Sequence, residues 1–352
     1  RDQSMATHGS GSIFRLGAGN ASTTVTDSIK EYKETFSGSH ADAEKLAKRN
    51  AMCSGDGVKS LVDQYYNVAT DFYEYGWGTS FHFAPIYNNE SYDTQLKAHE
   101  YFLASRLGLK PGDKVVDMGC GVGGPARNIA RFSKAHVTGV TINDYQVQRA
   151  RYHTTRMNLE DLCNFVQGDF MNLPFADGTL DAAYAIEATC HTSERTRVFR
   201  EAWRVLKPGG YLAGYDWCVT DAYDRTSEAH NKIRHDIEVG NGLPEIVHTS
   251  VVDRDLAAAG FVDIETLDKA EEGDKPWYHP LSAGYSWSGL RHTRLGRALT
   301  GYFVWALETA RLAPAGSYEV SNTLCQGADG LVAGGKAKIF TPMYFFLARK
   351  PL

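Results

Sequence analysis

The chain has 352 residues, enough for one large elaborated domain or two modest ones, and a single elaborated domain is the preferred reading. Lys and Arg number 37 against 42 Asp and Glu, a net charge of −5 without any basic run, which argues against a nucleic-acid partner. No apolar run reaches the roughly 18 residues a membrane span needs, and the six cysteines include no Cys-x-x-Cys pair, so free thiols in a reducing, cytosolic compartment are expected and a metal site is not.

Residues 1–4 precede Met5 and read as the remnant of an expression tag, and 5–25, rich in Gly, Ser, Thr and Ala, buries too little to be anything but a flexible N-terminus. Helices are predicted over about 27–49 and 58–72. The next stretch, DFYEYGWGTSFHFAP at 71–85, packs Phe72, Tyr73, Tyr75, Trp77, Phe81 and Phe83 among Glu74, His82 and small residues. Gly76 and Gly78 break any helical spacing and strand alternation fails as well, so these rings suit the wall of a site better than a core.

From residue 114 short apolar runs alternate with amphipathic helices: KVVDMG, HVTGVTI at 136–142, NFVQGDF at 164–170, LDAAYAIEA at 180–188 and GYLAGYDW at 210–217. Strand–helix alternation at this spacing predicts an α/β fold with a parallel sheet, and runs such as AAYAI fit strands covered on both faces. After 220 the alternation stops, with further strands predicted only at 261–267 and 339–348, the latter pairing at the sheet edge. That leaves about 269–338 as an insertion holding a second aromatic group that includes Trp277, Trp287 and Trp305.

VVDMGCGVGGPARNIARF is a strand, an Asp, a glycine-rich turn and a helix. Gly119 and Gly121 let backbone and ligand approach closely, a property a dinucleotide enzyme would also use. Asp117 two residues before the first Gly, the acid of QGDF after the third strand, and IEATCH after the fourth favour S-adenosyl-L-methionine. Asp117 then meets the cationic methionine amine, Thr141, Asn143 and Gln146 fall at the ribose although an acid is missing at Asn143, and Asp169 with Phe170 would hold the adenine. Asp169 could instead cap the next helix.

The glycine loop, YEYGWGTSFHF, YAIEATCH, KPGG and the long segment GRALTGYFVWALETARLAP…GLVAGGKAKIFTPMYFFLARKP occur in this order, and from about residue 60 onward the chain resembles the sterol C-24 methyltransferases. The resemblance implies a class I Rossmann-like methyltransferase: a mostly parallel seven-stranded sheet with an antiparallel last strand, an N-terminal helical and aromatic segment at 26–95, an S-adenosyl-L-methionine-binding core at 96–220 and a sterol-specific C-terminal region at 221–352. It implies methyl transfer to C-24 of a Δ24 sterol, with S-adenosyl-L-homocysteine as product. An alkene so methylated becomes a carbocation, which aromatic faces stabilise by about 2 kcal/mol or more per desolvated contact. Tyr73, Tyr75, Trp77 and Phe81 are the candidates, with Trp287 at the sterol. Glu74, His82, Glu187 and His191 are the candidate acids and bases, Glu187 and His191 being adjacent if that stretch is helical. Each has a structural alternative: a carbonyl partner for His82, an ion pair for Glu74, the cofactor for Glu187. YDW at 215–217 departs from the family's Tyr-Glu-Trp, which shortens Asp216 by one methylene. The resemblance further implies a homo-oligomer in peripheral contact with the endoplasmic reticulum or lipid droplets, although the N-terminal anchor of many plant members is not found. Another isolated alkene, in an unsaturated acyl lipid or a linear triterpene, is the alternative substrate; a lipid-binding protein without turnover is the alternative class.

Overall fold

The computed structural model describes residues 70, 74, 78–282, 294–312 and 316–352; the helix predicted over 27–49, all of that predicted over 58–72 except residue 70, and Tyr73, Tyr75, Trp77 and Trp287 lie outside the described residues. Seven strands form one sheet in the order β3-β2-β1-β4-β5-β7-β6. They are β1 (Lys114–Met118), β2 (His136–Thr141), β3 (Cys163–Gln167), β4 (Leu180–Ile186), β5 (Leu206–Val219), β6 (Val262–Asp268) and β7 (Phe340–Arg349). β1 pairs parallel with β2 and β4, whereas β7 runs antiparallel to both β5 and β6.

Strand alternation sorts the side chains between two apolar layers. Val115, Tyr184 and Phe345 join one core with α1 (Tyr92–Arg106), α2 (Gly124–Ser133) and α3 (Asp144–Arg156), while their neighbours Val116, Ala183 and Phe346 join another with α4 (Arg195–Val205) and α6 (Thr249–Ala258). A third cluster combines Phe83, Trp217 and Trp277 with residues of α5 (Glu228–Asn241) and α8 (Ser317–Lys336). α7 (Arg294–Thr309) lies against α8.

Three expectations need correction, the edge position of β7, the start of β5 and the helical relation of Glu187 and His191. β7 is not at the sheet edge but between β5 and β6: nine of its ten residues are buried, so both backbone edges and both faces find partners. β5 begins at Leu206, passing through KPGG with Gly209 at φ 78°, not at 210. As expected, the acid of QGDF follows the third strand: β3 ends at Gln167 and Asp169 and Phe170 lie in the following loop, while β4 ends at Ile186, because Glu187 turns to φ 51°. The turn also removes the helical relation expected between Glu187 and His191; only Thr189–His191 forms a single 3-10 turn.

Candidate active site

Strand order reverses between the parallel neighbours β1 and β4, because β2 and β3 are added on one side of β1 and β4 and β5 on the other, and a crevice opens beyond the carboxyl ends of the strands at such a point. There lies a cleft lined by Asp117, Gly119 and Gly121 from the β1 end, Thr141 and Gln146 beyond β2, Asp169 and Phe170 beyond β3, Glu187 and His191 beyond β4, and Phe81 and His82 of the aromatic block.

The β1–α2 turn has to be glycine. Gly119 has φ +86°, and a Cβ on it would stand 2.5 Å from the Ala188 Cβ. A Cβ on Gly124 would stand 2.0 Å from the Thr79 carbonyl oxygen, so glycine there lets the segment 78–83 lie directly on the start of α2. The Phe81 ring comes within contact of Gly121, where a Cβ would be 3.6 Å from Phe81 Cδ2. One end of the aromatic block is thus folded over the glycine loop.

Asp117 is 2 % exposed and its Oδ2 has no hydrogen-bond partner; burial pushes this carboxyl up to about 7. Thr141 Oγ1 donates to Gln146 Oε1 at 2.7 Å. Asn143 is 1 % exposed and caps α3 by accepting from Gln146 N at 2.8 Å; unlike Thr141 and Gln146, it does not line the cleft. Asp169 accepts from Met171 N at 2.8 Å, a local turn and not a helix cap.

Glu187 is buried and doubly held: Phe83 N donates to Oε1 at 2.7 Å and Trp217 Nε1 donates to Oε2 at 2.8 Å. Burial still pushes its carboxyl up to about 7, against the opposing effects of His82 and these two donors. Burial also lowers His191, to about 4, so it stays neutral. His82 is hydrogen-bonded on both sides, Nδ1 to the Phe83 carbonyl at 2.7 Å and Nε2 to Glu100 Oε1 at 3.1 Å. Burial alone would lower the His82 pKa, but Glu100 and Glu187 outweigh it and the net direction is up.

Glu74 is placed elsewhere. Its carboxylate accepts from Arg149 Nε at 2.7 Å and lies 2.5 Å from His153 Nε2, both on α3, and it is not among the residues lining the cleft. Asp216, the shortened acid of YDW, accepts from Arg195 Nε at 2.8 Å, a fully buried pair beneath the cleft floor. The insertion reaches the aromatic block through Trp277, which packs edge-on against Phe83 with ring centroids 5.0 Å apart. Sequence reasoning missed Trp217 and Glu100; Trp217 carried a signal in YDW, at the end of the predicted apolar run 210–217.

A glycine turn, an acid at the end of the first strand and a cleft over the switch point define a Rossmann-like methyltransferase, and residues 116–214 match the profile described as Methyltransferase domain. Residues 287–352 match Sterol methyltransferase C-terminal. The chain is 47 % identical over 338 residues to cycloartenol-C-24-methyltransferase 1 of Oryza sativa subsp. japonica, covering 96 % of each chain. It is also 47 % identical over 305 residues to a sterol 24-C-methyltransferase of Saccharomyces cerevisiae, covering 84 % of this chain and 80 % of the relative. Among solved structures, the [4+2]-cyclase SpnF superposes with a TM-score of 0.61 at 24 % identity over 83 % of this chain and 96 % of that one. A geranyl diphosphate methyltransferase gives 0.60 at 18 % over 84 % and 99 %. The chain belongs to the sterol 24-C-methyltransferase family and is an S-adenosyl-L-methionine-dependent enzyme. The residues present suit that cofactor: Asp117 Oδ2 is a buried acceptor without a partner, and the Gly119 cradle would be filled by any Cβ.

Proposed function

We propose that this enzyme methylates C-24 of a sterol side chain bearing a Δ24 double bond, in the formation of phytosterol- or ergosterol-type sterols, through a carbocation followed by a hydride shift and proton loss. Asp117 and the glycine loop would hold the methionine part of S-adenosyl-L-methionine, Thr141 and Gln146 its ribose and Asp169 and Phe170 its adenine, and the cofactor would supply an electrophilic methyl group, with S-adenosyl-L-homocysteine as the leaving group. Attack by the alkene π electrons forms the new C–C bond and leaves a cation on the sterol. Phe81, folded over the loop, excludes water from that cation and offers it a ring face. Tyr73, Tyr75 and Trp77 are assigned the same task, and Trp287 the sterol, from their places in the sequence. Asn143 we assign to shaping the ribose end by capping α3, and Glu74 to holding the aromatic block on α3.

The observation that carries this reading is Glu187, a buried carboxyl lining the same cleft as Asp117 and Phe81 and clamped by the Phe83 amide and the Trp217 indole. A group titrating near 7 is matched to accept a proton from an alkyl cation at neutral pH. We assign it as the base, with neutral His191 and the paired His82 shaping the site around it. Because the carboxylate is depleted as pH falls through about 7, turnover should decline on the acid side of that value. Glu187→Gln should lower turnover about a hundredfold or more and remove that limb, with affinity for S-adenosyl-L-homocysteine little changed. Methyl-labelled cofactor offered with Δ24 sterols, unsaturated acyl lipids and linear triterpenes, followed by mass analysis, tests the substrate: label in an acyl lipid or triterpene but not in the sterols would overturn it.

A sterol dissolves in membranes, so the reading extends to peripheral contact of a homo-oligomer with the endoplasmic reticulum or lipid droplets. Support comes from α7, where Leu299, Tyr302, Phe303 and Trp305 are all exposed.

A further inference from the structure

Glu100, on α1, is 0 % exposed, and its carboxylate is ringed by three groups from two other parts of the chain. Ser80 Oγ donates to Oε1 at 2.8 Å, Asn128 Nδ2 of α2 donates to Oε2 at 2.7 Å, and His82 Nε2 lies 3.1 Å from Oε1. The other ring nitrogen of His82, Nδ1, lies 2.7 Å from the Phe83 carbonyl oxygen. A carbonyl oxygen only accepts, so Nδ1 carries a hydrogen. Nε2 faces an oxygen that already accepts the Ser80 hydroxyl, and its own hydrogen completes that arrangement. Donation from both nitrogens would make His82 an imidazolium paired with a carboxylate inside the protein.

A buried pair of this kind survives only when further hydrogen bonds satisfy its remaining atoms, which Ser80, Asn128 and the Phe83 carbonyl do. The pair ties the segment 80–83 to α1 and to the helix that begins in the glycine loop. It also fixes Phe83, which His82 grips by the carbonyl and whose N–H donates to Glu187 Oε1. Among the described residues, the charged or titratable groups facing His82 are Glu100, His99 and Tyr92 from α1, Asp117 from β1 and Glu187 beyond β4. His99 is held neutral by burial and stacks on Tyr215.

We infer that Glu100 is a positioning residue for the methyl transfer: it keeps His82 as an imidazolium, and His82 in turn seats the Phe83 N–H on Glu187 and keeps the Glu187 carboxylate available. The inference rests on the role given to Glu187 above. It makes His82 a fixed cation, unable to serve as the base.

Nitrogen-detected NMR of ring-labelled histidine in the intact enzyme reads the first half directly. Two N–H groups on His82, kept to pH values above the ordinary histidine value of about 6.5, are expected; a single neutral tautomer at about pH 6.5 would overturn the inference, and this measurement needs no variant to fold. Glu100→Gln keeps the shape and removes the charge. His82 should then show only Nδ1–H, the acid limb of turnover should move up by about one pH unit, and kcat at pH 7 should fall more than KM rises. Glu100→Asp, which keeps the charge, should restore the imidazolium. An unmoved acid limb in Glu100→Gln, with His82 neutral, would sink the link to Glu187. Carbon-detected titration of the Glu187 carboxyl in both proteins separates this failure from failure of the sterol reading, since it reports the same shift whether or not any alkene is methylated.

Discussion

A buried carboxyl held at about 7 is half protonated in neutral solution, and at Asp117 that has a consequence for binding. A cationic amine favours the ionised form, so S-adenosyl-L-homocysteine should bind with release of part of a proton, more tightly as pH rises through about 7 and with little further gain above it. Titration calorimetry in two buffers of different ionisation enthalpy measures that proton. Asp117→Asn should abolish the release and weaken binding by about 1.5–3 kcal/mol, roughly tenfold to a hundredfold; undiminished affinity would remove Asp117 from the amine site. Asp117 was legible because a strand-terminal acid before a glycine turn has few structural uses. Glu100 was not: in α1 the buried positions include Leu96, His99, Glu100 and Leu103, and a search for apolar periodicity takes the middle two for solvent-facing residues. Their burial follows from partners 18 to 116 positions away, such as His82 and Tyr215, which no local window contains.

The parallel strands declared themselves because a sheet covered on both faces needs near-continuous apolar runs, as in AAYAI within β4. The C-terminal helices did not. α8 carries Gly327, Gly330, Gly334 and Gly335, each a weak helix former, within the predicted insertion, to which the sequence assigns no secondary structure. Packing explains them: a Cβ on Gly240 of α5 would lie 2.1 Å from Gly327 Cα, and one on Gly330 would lie 2.9 Å from Ile237 N, so the two helices cross backbone to backbone. Gly240→Val should therefore lower stability by about 2 kcal/mol or more, read as a fall in melting temperature. Neither helix contributes to the lining of the cleft, so cofactor affinity should survive. An unchanged melting temperature would mean that the crossing is looser than it looks.

Across the whole molecule, no helix among the described residues is long and apolar enough to cross a membrane, yet Tyr302 and Phe303 of α7 are 67 % and 62 % exposed. Cosedimentation with phospholipid vesicles should capture the enzyme, and replacing Tyr302, Phe303 and Trp305 together by Ser should reduce the bound fraction about tenfold or more while sparing cofactor binding. Equal capture of both proteins would assign the contact to another surface. Aromatic content was visible in the sequence, but which rings face outward depends on how α7 meets α8. The position of β7 matters in a different way, for how the protein is made. The ribosome releases β7 after every other strand, yet β7 is the one that joins β6 to the rest of the sheet. During synthesis β5 therefore waits with an open edge, and β6 has no sheet to join. A nonsense codon between Asp268 and Phe340 would yield not a slightly shortened enzyme but a chain with an open edge on β5 and an unpaired β6, the kind of product that chaperones and proteases intercept.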